Sequence, residues 1–113
     1  MADVYHAHAY FEGRVQGVGF RYAALEVARE FEVSGYVENL ADGRVHIEAE
    51  GKHAELESFI SAVEERMAHF IKKTNRDIVE RLPQLSGLEV PLFTGFATKK
   101  SKTVSNSVRL RPR

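Results

Sequence analysis

The stretch VYHAHAYFEGRVQGVGFRYAALEVAREF, residues 4–31, contains the transition that decides the fold. Residues 4–12 alternate, with Ala7 and Phe11 on one side and polar side chains on the other, which predicts a half-buried strand. Glycines then interrupt the alternation, and from Phe20 the apolar residues follow helical spacing. The sequence therefore predicts a strand, a glycine-bearing loop and an amphipathic helix.

Two further strands and a second helix follow. Strands are expected over residues 35–40 and 44–50, and Asp42-Gly43 between them predicts a hairpin, because both residues tolerate positive φ. A second helix is expected to begin near Ala54. Its apolar stripe is formed by Leu56, Phe59, Ile60, Val63 and Met67.

The region after this helix permits two interpretations. Apolar residues up to Leu82 could prolong the helical stripe, whereas a strand around residues 69–75 is the competing prediction, so residues 69–82 are left open between strand and helix. Pro83 and Gly87 indicate a break, and residues 92–98 predict a short last strand at an edge.

The order of elements predicts the fold class. Strand, helix, strand, strand, helix, strand is the βαββαβ arrangement of an α+β, ferredoxin-like split βαβ sandwich, an antiparallel sheet with two helices on one face. We expect this domain to occupy residues 1–98. Residues 99–113 carry six basic side chains and no acidic one, and we expect a flexible tail there.

Composition excludes several classes of function. The formal charge is zero, which argues against a dedicated nucleic-acid binder, and the absence of cysteine excludes disulfides and thiolate chemistry. No apolar run reaches membrane-spanning length and no signal sequence is visible, so we expect a cytoplasmic protein with no membrane partner. A single compact domain favours a monomer.

The loop GRVQGVGFR, residues 13–21, is the candidate for chemistry. Its glycines permit a tight concave turn with inward N–H groups, and the following helix adds unpaired N–H groups and the positive end of its dipole. Arg21 can present a planar fork to two phosphate oxygens. The loop lacks the Gly-Lys-Ser/Thr ending of a nucleotide-binding P-loop, and its glycine spacing does not match the dinucleotide fingerprint.

This loop resembles the signature loop of the acylphosphatase family, and the segment GYVENLADGRVHIEAEG, from residue 35, resembles that family's second and third strands. The resemblance implies hydrolysis of acyl phosphates, with Arg21 as the catalytic phosphate-binding arginine and Asn39 as the residue that orients the attacking water. It also implies that the phosphoryl oxygens are held by the backbone amides of Val15, Gln16, Gly17, Val18, Gly19 and Phe20.

The chemistry of the substrate agrees with this assignment. An acyl phosphate expels a carboxylate, whose conjugate acid has a pKa of about 4, so no general acid is needed. Catalysis would rest on positioning and charge stabilisation, without a cofactor. Two features depart from the family pattern: Glu38 stands where a basic residue is common, and the region 70–91 is longer than usual.

Alternative functions remain open at this point. The same fold serves RNA-binding domains, but residues 45–49 carry no aromatic side chain for base stacking. A non-catalytic anion-binding module and the acylphosphatase-like domain of larger hydrogenase-maturation proteins are further alternatives. His6 and His8 share a strand face, yet no third ligand stands at a recognisable spacing, so we expect no metal site.

Overall fold

The computed structural model describes residues 4–80 and 95–99 of the chain. Five strands and two helices lie in this part. In chain order they are β1 (Tyr5–Gly13), α1 (Phe20–Ala28), β2 (Val33–Asn39), β3 (Val45–Gly51), α2 (His53–Arg66), β4 (Ile71–Glu80) and β5 (Phe96–Lys99).

The strands form one sheet in the order β4-β1-β3-β2-β5. β3 pairs antiparallel with both β1 and β2, so β1 and β2 run in the same direction on either side of it. The connection from β1 through α1 to β2 is therefore the predicted split βαβ unit, and the fold class predicted from the sequence is confirmed. Because β1 and β2 run in the same direction, their carboxyl ends lie at the same end of the sheet.

Alternation along the strands separates two faces. The face that packs against the helices carries the buried side chains of Phe11, Val37, Val45 and Ile47, and the helices contribute stripes that include Phe20 and Phe59. The rings of Phe11 and Phe20 lie 5.0 Å apart, which joins the end of β1 to the start of α1. The opposite face, which we call the open face, carries polar side chains; in the part of the chain that the structure describes, no helix covers it.

The predicted hairpin joins β2 to β3. The amide of Leu40 donates to the carbonyl of Arg44, and the carboxylate of Asp42 accepts from the backbone N–H and the Nε of Arg44. The hydrogen bond from this backbone N–H, followed by the interaction with the guanidinium, lowers the pKa of the Asp42 carboxyl below its ordinary value of 3.8.

The region left open between helix and strand is a strand. The amides of Phe70 and Ile71 both donate to the carbonyl of Met67, so the chain turns directly after α2. β4 then pairs antiparallel with β1 from Ile71 to Glu80 and runs beyond the predicted strand at residues 69–75. Hydrogen bonding to β1, which the sequence pattern does not reveal, decides against a longer helix.

The last described strand makes the sheet mixed rather than wholly antiparallel. β5 pairs parallel with β2 at the edge of the sheet, and the ring of Phe96 contacts that of Phe59 at 5.2 Å. The sequence predicted an edge strand over residues 92–98, of which 92–94 lie outside the described residues, as do the predicted break at Pro83 and Gly87 and the tail beyond Lys99. Neither described helix has the length and apolar character needed to cross a membrane.

Candidate active site

The loop between β1 and α1 is anchored at both ends by apolar side chains. Val15 is fully buried and Phe20 is nearly so, while Gly17 and Gly19 between them are exposed. Gly17 and Gly19 have φ values of 78° and 81°, in the left-handed region that favours glycine. The two buried anchors and the two left-handed glycines together force the backbone into a tight turn at the surface.

The backbone amides of this loop are available to an anion. Within residues 4–80 and 95–99, the amides from Val15 to Tyr22 donate to no backbone carbonyl outside a helix or strand. α1 has no side-chain cap and no acidic residue in its first turn, so its positive end is not neutralised locally. A group with several negatively charged oxygens is the chemical complement of such a loop.

Gln16 fastens the loop to the β2–β3 hairpin through its side chain. Its Nε2 donates to the carbonyls of Leu40 and Arg44, at 2.8 and 2.9 Å. On the other side, the amide of Arg14 donates to the carbonyl of Phe70, just before β4. The loop is thus tied to structures on both sides of β1. The sequence predicted only a backbone role for Gln16, and no pattern in it indicated these side-chain contacts.

Arg21 lies in the first turn of α1, beside the buried stripe of that helix. Its side chain is half-buried, and no carboxylate of the described residues pairs with it. An arginine without an acidic partner keeps its five N–H donors for an external ligand. In the chain, Arg21 directly follows the loop and belongs to the first turn of the helix that the loop leads into.

Asn39 lies at the same end of the sheet and on the same face. Val45 pairs with Phe11 on one side and with Asn39 on the other, so the three side chains form a row across β1, β3 and β2. Phe11 in this row packs on Phe20, the first residue of α1. The half-buried Asn39 therefore faces the side of the sheet where the loop and α1 begin. Among the described residues, its side-chain amide makes no hydrogen bond.

Glu38, the residue that departs from the family pattern, points the other way. It alternates with Asn39 along β2 and lies on the open face, where its carboxylate is 2.8 Å from Nδ1 of His46. The negative charge of Glu38 is therefore separated from the loop by the sheet.

Comparison with known proteins places this arrangement in a family. The family model described as acylphosphatase matches residues 7–84, which contain the loop, Arg21 and Asn39. The chain belongs to the acylphosphatase family.

The chain is also similar to individual proteins named acylphosphatase. An acylphosphatase of Archaeoglobus fulgidus is 57% identical over 54 residues, which are 48% of this chain and 61% of that relative. The crystal structure of an acylphosphatase from Bacillus subtilis covers 84% of this chain and 98% of its own, with a TM-score of 0.68 and 29% identity. The chain thus spans less than two thirds of the first relative's length.

A larger protein contains the same acylphosphatase fold. The structure of full-length HypF in a phosphate- and nucleotide-bound form covers 87% of this chain but only 12% of its own, with a TM-score of 0.64 and 26% identity. The fold therefore also occurs as a small part of a longer protein.

All eight predicted site residues lie at one end of the sheet. Val15 to Phe20, Arg21 and Asn39 lie on the helix-covered side, around the start of α1. Among the described residues, Arg21 and Asn39 form no hydrogen bond with each other.

Proposed function

We propose that this chain is an acylphosphatase that hydrolyses acyl phosphates to a carboxylate and inorganic phosphate. Water oxygen forms a new bond to phosphorus, the bond between phosphorus and the acyl oxygen breaks, and the carboxylate departs with the electron pair. The protons of the water pass to phosphate and solvent. The observation that carries the proposal is that, among the described residues, the loop amides donate to no backbone carbonyl outside a helix or strand and Arg21, directly after them, pairs with no carboxylate.

The backbone amides from Val15 to Phe20 bind the oxygens of the phosphoryl group, and Arg21 completes the ring of donors. Such donors stabilise the transition state because they already point at the place where charge develops, and no reorganisation is needed during the reaction. Apolar anchoring by Val15 and Phe20 supports this role, because it limits movement of the turn between them.

Asn39 orients the attacking water through its side-chain amide. Its place in the row with Phe11 and Val45 supports this role, because the row ends beneath the start of the phosphate-binding loop. The carboxylate leaves without protonation, so neither a general acid nor a metal is part of the proposed reaction. The substrates are small acyl phosphates, and we propose a cytoplasmic monomer without a nucleic-acid partner, in keeping with the zero formal charge.

The test is release of inorganic phosphate from acetyl phosphate with a chelator present. We expect turnover by the wild-type chain and a loss on the order of 10²–10³ in kcat for Arg21→Ala and for Asn39→Ala, the effect of removing one transition-state donor. Arg21→Lys keeps the charge but loses the planar fork, so we expect it to remain strongly impaired.

Matched controls are available on the same elements or in the same sheet. Arg29 is an exposed arginine at the other end of α1, and Asn75 is an exposed asparagine on β4. Arg29→Ala and Asn75→Ala should retain wild-type turnover. No phosphate release from the wild type, or equal losses in the controls, would contradict the proposal.

A further inference from the structure

The open face of the sheet carries a connected group of ionisable side chains that the phosphate chemistry does not use. They project from β1, β2 and β3 on the face opposite the helices, and each lies within hydrogen-bonding distance of another member. We call this group the histidine–glutamate cluster. Its members are His6, His8, Tyr36, Glu38, His46, Glu48 and Glu50.

Two histidine nitrogens and one glutamate oxygen lie close together inside this cluster. Nε2 of His6 lies 2.7 Å from Oε2 of Glu48, and Nε2 of His8 lies 3.8 Å from the same oxygen. One ligand atom from each of the three residues falls within 4.8 Å of the others. Metal–ligand bonds of about 2.0–2.1 Å at tetrahedral angles place ligand atoms about 3.3 Å apart, so small side-chain adjustments suffice.

Sheet register explains how these residues meet. His6 and His8 are two positions apart on β1 and share a face, while Glu48 stands directly opposite His8 on β3. The sequence showed the two histidines but not the third ligand, which lies 40 residues after His8 and is brought to it only by strand pairing. Spacing along the chain therefore did not reveal the group.

The outward-facing atoms of all three residues are held by neighbours. Nδ1 of His6 is 3.2 Å from Oε2 of Glu50, and Oε1 of Glu48 accepts a hydrogen bond from the hydroxyl of Tyr36 at 2.5 Å. Nδ1 of His8 is 2.9 Å from Nε2 of His46. Metal ligands in proteins are oriented in this way by a second layer of hydrogen bonds.

The tautomer of His6 decides which of its ring atoms can bind an ion. Nδ1 and Nε2 of His6 each lie against a carboxylate oxygen, at 3.2 Å from Glu50 and 2.7 Å from Glu48. In the tautomer whose Nδ1–H donates to Glu50, Nε2 carries a lone pair on the side of Glu48, where a metal ion shared with His8 would be bound by both.

We propose that His6, His8 and Glu48 bind one divalent transition-metal ion of the zinc class. Imidazole nitrogen suits zinc, copper and nickel rather than magnesium or calcium, and two histidines with one glutamate form a known zinc-ligand combination that leaves a position for water. The side chain of His8 is 37% exposed, so an ion can enter from solvent.

This site is separate from the proposed phosphate site. The three ligands face away from α1 and from the row that contains Asn39. Metal binding can therefore be tested by direct measurement, and its outcome does not depend on whether the chain hydrolyses acyl phosphates.

The test uses chelator-treated protein from which the chelator has been removed. Calorimetric titration with Zn²⁺ should show one equivalent bound, and Co²⁺ should give the intense visible absorption of a four-coordinate site. His8→Gln and Glu48→Gln each remove a ligand and should weaken zinc binding by at least about tenfold. His53→Gln is the control, because His53 lies on α2, outside the cluster, 3.8 Å from the carboxylate of Glu57.

A further variant tests the site without removing any of the three ligands, so that the test does not depend on the ligand variants folding. Tyr36→Phe removes the hydroxyl that donates to Glu48, and it should weaken zinc binding by about tenfold or more. Circular dichroism of each variant shows whether the fold is kept. Absence of zinc binding by the wild type, or unchanged affinity in folded His8→Gln, Glu48→Gln and Tyr36→Phe, would overturn the proposal.

Discussion

At the scale of single residues, Gln16 is a positioning residue for the phosphate loop. Its side chain bonds two carbonyl oxygens in the hairpin that follows Asn39. These bonds fix the distance between the loop amides and the end of β2, and displacement by an ångström at an active site can cost about a hundredfold in rate.

We predict that Gln16→Ala lowers kcat for phosphate release by about tenfold to a hundredfold. The free energy of unfolding should fall by only about 1–2 kcal/mol, since two hydrogen bonds are lost. Gln16→Glu should be worse in both respects, because a carboxylate would face two carbonyl oxygens and repel the phosphoryl group. Steady-state kinetics and denaturant titration measure the two effects, and a kcat that follows stability alone would contradict the positioning role.

At this scale, the sequence was sufficient to predict site residues that belong to a recognisable motif. Arg21 and Asn39 could be named because the loop and the second strand resemble a known family, and their catalytic roles stay predictions. The side-chain role of Gln16 and the partnership of Glu48 with His6 and His8 could not be found, since both depend on which strands lie side by side. Sequence separation hides such contacts, whereas the pairing register makes them direct.

At the scale of elements, the charge of one exposed side chain adds a small contribution to the hairpin between β2 and β3. Asp42 accepts two hydrogen bonds from Arg44, and its pKa is lowered by them. A carboxyl with a lowered folded-state pKa contributes stability above its unfolded value, and that contribution is lost as the pH falls through the folded-state value.

We predict that Asp42→Asn lowers the melting temperature slightly at neutral pH, because an exposed ion pair contributes little. The difference from the wild type should shrink as the pH falls toward and below 3.8, where the wild-type carboxyl also becomes neutral. Thermal denaturation across this range measures it. A difference that stays constant with pH would show that the charge of Asp42 does not stabilise the hairpin.

β4 illustrates where periodicity stops being informative. Ile71 and Ile78 are seven residues apart, a spacing that suits one face of a helix, yet both lie in a strand. The exposed Lys72 and Lys73 give β4 the charged character of an edge strand. Pairing with β1 outweighed the local pattern. The strands and helix up to residue 51 were predictable because their periods are unambiguous, although β2 begins at Val33, two residues before the predicted start.

At the scale of the whole molecule, the described elements already contain every residue of the proposed phosphate site. The loop, Arg21 and Asn39 lie within residues 4–80, and β5 ends at Lys99. The parallel pairing of β5 with β2 was not predictable, because nothing in its four residues specifies the direction in which the chain returns.

We predict that deletion of residues 100–113 leaves phosphate release and melting temperature unchanged, since the proposed phosphate site lies within residues 4–80. The deletion removes basic residues, so it also tests whether this segment contributes to substrate attraction. A lower kcat/KM in the shortened chain would contradict this expectation. If high salt lowers the kcat/KM of the full chain by the same factor, residues 100–113 attract the substrate electrostatically.

The position of β1 in the sheet has a consequence for the loop that follows it. β1 lies between β4 and β3, so its backbone is paired along both sides, unlike that of β4. Edge strands exchange their amide hydrogens through local fraying, whereas an interior strand opens only when a larger part of the sheet opens. The phosphate loop therefore begins from a segment whose amide hydrogens belong to the slowly exchanging part of the protein.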